Sequence, residues 1–139
     1  MTTVFCPFAM AAQQGIPVLE IADRDPAKAD ELLAEFVRQA QEAMKGQSHV
    51  LYRLQGAEPQ FTTPMQYGGI FLECDRQILA SATADQHVTL WVEGGEGTYL
   101  DFVSDLPAST FAWDATATGF TEDQMRSLRS GALNPHGIE

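Results

Sequence analysis

The segment Gln86–Glu93 holds the side chains with the clearest capacity for recognition chemistry. Strict alternation predicts a strand that turns Val88, Leu90 and Val92 inward. The opposite set is His87, Thr89, Trp91 and Glu93. If this second face is open, it presents an indole, a residue type favoured at binding hot spots, beside an imidazole and a carboxylate. If a helix or loop covers it, Trp91 is buried and His87 satisfies a local hydrogen bond.

The residue spacing supports a metal site or a catalytic site less well than it supports a recognition surface. Asp85 with His87, or Glu93 and Glu96 with Asp101, could contribute ligands, but a metal site needs three or four that converge. The sequence contains no zinc motif and no calcium loop, so we expect no metal and no cofactor. His49, His87 or a Cys74–His87 pair could serve acid–base or thiol chemistry, yet no catalytic signature accompanies them. The catalytic residues stay unknown, and the sequence leans against an enzyme.

The charge distribution indicates which partners the surface attracts. No Lys or Arg occurs from Gln77 to Met125, and the net charge of the chain is -11. Residues 71–139 hold three basic and eleven acidic groups. Such a surface repels phosphate backbones and anionic headgroups, so we expect no nucleic acid and no membrane as partner. A basic protein is the partner that this charge favours, although the acidity could also serve solubility alone.

Length and cysteine content set further bounds. The 139 residues predict a single domain over 1–139 with a core of useful size. Cys6 and Cys74 match no metal spacing, and we expect both to be reduced in a cytoplasmic protein. The first fifteen residues are apolar and aperiodic, and they pack either on the domain or on another chain, which leaves a homo-oligomer possible.

A long helix over about 26–45 is the element with the strongest sequence signals. Asp25 is a suitable N-cap, Pro26 suits the first turn, and Gly46 suits the C-terminal stop. Apolar residues recur along it at helical spacing. A short helix over about 121–130 is predicted by the capping box of Thr121 and Gln124.

Between and before these helices, short apolar runs predict strands. The expected strands are 17–22, 49–54, 69–73, 77–83, 86–93 and 98–103; residues 106–119 form an edge strand or an ordered loop, and 134–139 an exposed tail. Short connections between consecutive strands favour antiparallel pairing. The sequence therefore predicts an α+β fold, in which the helix at about 26–45 packs on a largely antiparallel meander sheet of about five strands.

Three functional hypotheses follow from these features. The first is a small acidic protein-binding module, of the immunity protein, inhibitor or dedicated chaperone type, that engages a basic partner through an acidic sheet face. Its predicted partner-binding residues are Trp91, Glu93, His87, Asp101 and Glu96. The second is a small cofactor-free enzyme or ligand-binding protein with a pocket between the long helix and the sheet. The third is a structural or assembly subunit.

Overall fold

The computed structural model describes residues 1–137 and shows an α/β fold built on one five-stranded sheet. The strands are β1 Thr2–Phe5, β2 His49–Leu54, β3 His87–Val92, β4 Thr110–Trp113 and β5 Ala132–Asn134. They lie side by side in chain order, and each neighbouring pair is parallel. The predicted α+β fold with a largely antiparallel meander sheet is therefore wrong.

The helices lie in the crossovers that parallel pairing requires. The helices are α1 Pro7–Gln14, α2 Val18–Arg24, α3 Pro26–Met44, α4 Pro64–Gln66, a π-helix Tyr67–Phe71, α5 Leu72–Ala80, α6 Leu100–Val103, α7 Ala115–Thr118 and α8 Glu122–Arg126. Helices α1 to α3 connect β1 to β2, α4 to α5 connect β2 to β3, α6 connects β3 to β4, and the last two lead to β5. Among the described helices, none has both the length and the apolar character needed to cross a membrane.

Several predicted strands are crossover helices. The strands expected at 17–22, 69–73, 77–83 and 98–103 are wrong. The first lies mostly in α2, and the second spans the end of the π-helix and the start of α5. The third lies largely in α5, and the fourth contains α6 and the residues just before it. Short apolar runs do not distinguish a strand from a buried helix by periodicity alone. The strands expected at 49–54 and 86–93 are confirmed as β2 and β3, and the uncertain segment 106–119 contains β4.

Helix α3 forms where the sequence predicts it. The Asp25 side chain accepts a hydrogen bond from the Lys28 amide at 3.2 Å, and Pro26 occupies the first turn. Its buried residues are Ala29, Leu33, Phe36, Val37, Ala40 and Met44. Gly46, at φ +77°, follows its end. The capping box at Thr121 is also confirmed, but α8 is shorter than the predicted helix.

The sheet is covered by helices on one face only. Strands in sequential order with right-handed crossovers place every connection on the same side. The inward side chains join the core with α3: Val4, Val50, Tyr52, Leu54, Val88, Leu90, Val92, Phe111 and Trp113. The opposite side, called here the open face, consists of Thr3, Phe5, His49, Leu51, Arg53, His87, Thr89, Trp91, Thr110 and Ala112. Parallel sheets normally have both faces covered, so this one lacks a layer.

Candidate functional site

The centre of the open face is an apolar surface with short side chains in the middle. Strand register places Leu51, Thr89 and Thr110 in one row across β2, β3 and β4. The next row contains Trp91 and Ala112. Leu51, Trp91 and Thr110 are half-buried, whereas Thr89 is 6% exposed and Ala112 is 0% exposed. Leu51 and Trp91 are therefore the apolar side chains of these two rows that reach solvent.

An ion pair closes one side of this surface. Arg53 donates two hydrogen bonds to the Glu93 carboxylate, at 2.9 and 2.6 Å, and Gln55 Nε2 donates a third at 3.0 Å. The guanidinium also lies 5.3 Å from the centre of the Phe5 ring. Hydrogen bonding to Glu93 raises the pKa of Arg53 above its ordinary value. Glu93 is thus neutralised by a neighbour from β2, and it does not give the open face a free negative charge.

The indole of Trp91 is partly covered by the C-terminal segment. A Cβ atom placed on Gly137 would lie 2.6 Å from Trp91 Cη2, so the backbone there packs directly on the ring. The segment is held by a hydrogen bond from the Ala115 amide to the Pro135 carbonyl at 2.8 Å. Neither expectation for Trp91 describes it fully, because the side chain is half-buried and the backbone at Gly137 packs on part of its ring. The part of the predicted tail at 138–139 lies outside the described residues.

Two histidines occupy the opposite end of the open face. His49 and His87 are exposed on adjacent strands, and their ring centres are 5.9 Å apart. Thr110 Oγ1 lies 3.4 Å from His87 Nε2, and Ser48 Oγ lies 3.2 Å from His49 Nδ1. The two rings are therefore exposed polar groups at this end of the open face.

Acidic side chains gather where the strands end. Glu58 follows β2, Glu93 and Glu96 follow β3, and Asp114 follows β4. Since Glu93 pairs with Arg53, the name acidic rim is used here for Glu58, Glu96 and Asp114. The first two loops are joined by a hydrogen bond from the Tyr99 amide to the Ala57 carbonyl at 2.7 Å. Carboxyl ends of parallel strands meet at one edge, which is where α/β proteins bind ligands. These carboxylates therefore lie along the border of the open face and not across its centre.

The predicted partner-binding residues separate into three locations. Trp91 and His87 lie on the open face, as the alternation of β3 predicts, and Glu93 pairs with Arg53 at its border. Glu96 is exposed on the acidic rim. Asp101 is exposed on α6, in the crossover after β3, so it does not share the open face with Trp91.

Sequence reasoning missed a buried polar cluster beneath the sheet. Asp75 on α5 is 1% exposed, and its two carboxylate oxygens accept hydrogen bonds from Tyr52 at 2.6 Å and Tyr67 at 2.7 Å. Burial raises the pKa of Asp75 to about 7, although the two tyrosine hydrogen bonds oppose that rise. Burial also raises the pKa of the nearby Cys6 thiol and of both tyrosines. The only available signal was the helical spacing of Phe71, at the end of the π-helix, with Asp75 and Ile78 on α5.

This cluster does not open onto a ligand site. Asp75, Tyr52 and Tyr67 are each at most 1% exposed, so none of them reaches solvent. Cys6 Sγ accepts a hydrogen bond from the Gln55 amide at 3.2 Å and donates one to the Gln55 carbonyl at 3.5 Å. Burial raises the pKa of Cys74 to about 11, and its thiol contacts the Ile70 carbonyl, so no Cys74–His87 pair forms. The cluster therefore ties the π-helix and α5 to β2.

The space between α3 and the sheet is filled by core side chains. Leu33, Phe36 and Met44 are among the buried residues there. A cleft of about 450 Å³ lies beyond the end of α3, between Lys45, Ser48 and Asp85. An apolar groove of about 240 Å³ lies beside α1 and α2. Within residues 1–137, no three His, Cys, Asp or Glu side chains are grouped so that they could hold a metal ion.

Comparison with known proteins adds no family to this geometry. No protein-family model matches the chain. The comparisons with curated proteins and with solved structures found no match either. The function must therefore be inferred from the site itself.

Proposed function

We propose that this protein is a protein-binding module that engages a basic partner through the open face and the acidic rim. The observation that carries the proposal is the all-parallel sheet with helices on one side only. On the uncovered side, Leu51 and Trp91 are half-buried, so both keep apolar area that reaches solvent. A partner that covers this surface removes apolar area from water and supplies the missing layer.

The charge of the chain supports a basic partner. The net charge is -11, and no Lys or Arg occurs between Gln77 and Met125. The open face itself is nearly neutral, because Arg53 and Glu93 pair. The acidic rim would then steer a cationic partner towards the edge, while the apolar centre provides the contact. Both cysteines are free thiols, which fits the cytoplasm as the compartment of this interaction.

The filled core beneath the sheet favours this proposal over a small enzyme or ligand-binding protein. An enzyme would need a pocket that exposes a perturbed acid or base to substrate. Asp75 has a perturbed pKa, but both its carboxylate oxygens are occupied by tyrosines in the core.

The first test replaces Leu51 at the centre of the open face. Wild type, Leu51→Asp and the control Leu128→Asp are immobilised, and proteins captured from a lysate of the native cells are quantified by mass spectrometry. Leu128 is 47% exposed and follows α8, on the helix-covered side. We expect a basic protein whose affinity falls at least tenfold with Leu51→Asp, because a carboxylate is buried there without a partner. Leu128→Asp should leave the affinity unchanged.

Salt dependence tests the charge of the partner separately. The association rate of the captured protein with wild type should fall steeply as salt rises. A partner that binds Leu51→Asp as tightly as wild type would contradict the open face as the site. An association rate that does not change with salt would contradict a basic partner. Failure to capture any protein at low salt would contradict the proposal as a whole.

A further inference from the structure

The dimensions of the open face limit what can cover it. Five strands spaced about 4.8 Å apart span roughly 19 Å, and six residues extend about 20 Å along a strand. The footprint is therefore roughly 400 Å², and it is smaller still at the short edge strands β1 and β5. A stable interface buries about 800 Å² on each partner. A second copy of this chain, which also carries a charge of -11, is therefore a poor fit for this surface.

A single α-helix fits the same dimensions. A helix is about 10–12 Å wide with side chains, and about 13 residues cover 20 Å. Helices are also the layer that covers parallel sheets in α/β proteins. The short side chain of Thr89 lets a helix approach β3 closely, beside Leu51 and Thr110.

The charges at the two ends of the open face favour one direction for such a helix. The acidic rim lies at the carboxyl ends of the strands, where the positive end of a helix dipole and N-terminal basic side chains would be stabilised. His49 and His87 lie at the other end, and their ring N–H groups can donate to the last carbonyls of a helix.

We propose that the open face receives one cationic amphipathic helix of a partner protein, about 13 residues long, running antiparallel to the strands. Its N-terminus lies at the acidic rim, and its C-terminus lies beside His49 and His87. This inference rests on the proposed function and adds the form, size and direction of the bound element.

A random library of displayed 18-residue peptides provides the probe. The library is selected on wild type alone, and each enriched peptide is then measured on wild type and on Leu51→Asp. The expected sequences carry apolar residues at positions i, i+3, i+4 and i+7 and a net positive charge, and they bind wild type at least tenfold more tightly than Leu51→Asp. Thr110→Arg is a second variant, in case Leu51→Asp folds poorly; its long side chain should block the same surface.

The direction of the helix is tested on a selected peptide. A spin label at its N-terminus should broaden the amide signals of residues 93–97, and a C-terminal label those of His49 and His87. The reverse pattern would overturn the direction. Apolar residues at alternate positions would overturn the helix, because they indicate an extended peptide added to β1 or β5.

Other outcomes separate this inference from the proposed function. If the native partner depends on Leu51 but the selected peptides do not, the helix inference fails and the proposed function stands. If neither depends on Leu51, both fail. A wild-type dimer that Leu51→Asp dissociates would also overturn the inference, since the open face would then bind a second copy; sedimentation equilibrium measures this directly.

Discussion

At the residue scale, Asp75 occupies a position of α5 where an apolar side chain would be expected. Phe71, Ile78 and Leu79 around it are all buried in the core. A buried carboxylate without a cation favours its neutral form, which is why burial raises the pKa of Asp75 to about 7. Tyr52 and Tyr67 each donate a hydrogen bond to one of its oxygens. Since Tyr52 lies on β2 and Tyr67 in the π-helix, these two hydrogen bonds connect the sheet to the π-helix.

The raised pKa makes the stability of the protein dependent on pH. The unfolded chain releases this proton near pH 3.8, but the folded protein keeps it until about pH 7. The contribution of Asp75 is therefore fully present below about pH 4 and is lost as the pH rises through about 7. Relative to Asp75→Asn, the wild-type free energy of unfolding should fall by about 2 to 3 kcal/mol between about pH 5 and pH 8.

Urea denaturation of both proteins at the two pH values measures this change. Asp101→Asn, at an exposed position on α6, is the matched control and should keep the wild-type dependence on pH. A difference between wild type and Asp75→Asn that stays constant with pH would show that Asp75 does not titrate as described.

Asp75 also explains a limit of sequence prediction at this scale. A charged residue at a core position interrupts the apolar period of α5, so the segment suggests two short strands. The alternation of β3, by contrast, correctly placed His87, Thr89, Trp91 and Glu93 on one face. It could not supply Arg53, because that partner of Glu93 comes from β2, some forty residues earlier in the chain.

At the element scale, the crossover helices account for the wrong prediction of antiparallel pairing. Their short apolar runs suggest strands, because a run of this length does not distinguish a strand from a buried helix. With these segments taken as strands, the connections between consecutive strands become short, and short connections favour antiparallel pairing. The crossovers between the observed strands contain helices, as parallel pairing requires. The helix α3 was predictable because its caps and its apolar stripe are both local features.

The loop after β2 depends on a glycine that lets α1 approach. Gly56 has a φ of +92°, and a Cβ there would lie 2.5 Å from the Phe8 ring. Gly56→Ala should therefore destabilise the protein by about 1 to 3 kcal/mol more than Gly119→Ala. Gly119 is the matched control, since it has a φ of +75° but no atom within 4 Å of its added Cβ.

Thermal or urea unfolding of both variants measures the difference in stability. In a Phe8→Ala background, the additional cost of Gly56→Ala should disappear, because the contact that causes it is gone. Equal costs for the two glycine substitutions would contradict a steric role for Phe8.

At the scale of the whole molecule, the sheet should open from its edges. Strands β2 and β3 pair with each other along six residues and with a second neighbour along four, whereas β5 has three residues and one neighbour. Native-state hydrogen exchange should be slowest at Val50, Tyr52 and Leu90, which are fully buried, and fastest among the strands at β5. Protection at Leu133 as strong as that at Leu90 would show that the sheet unfolds as one unit.

The agreement between strand order and chain order has a consequence for how the protein is made. Each strand pairs with the strand synthesised just before it, so no strand has to wait for a distant segment or insert between two existing ones. A ribosome adds about 5 to 20 residues per second, which is slow compared with the formation of helices and local contacts. The sheet can thus grow one βα unit at a time during translation, and each newly made edge serves as the template for the next strand.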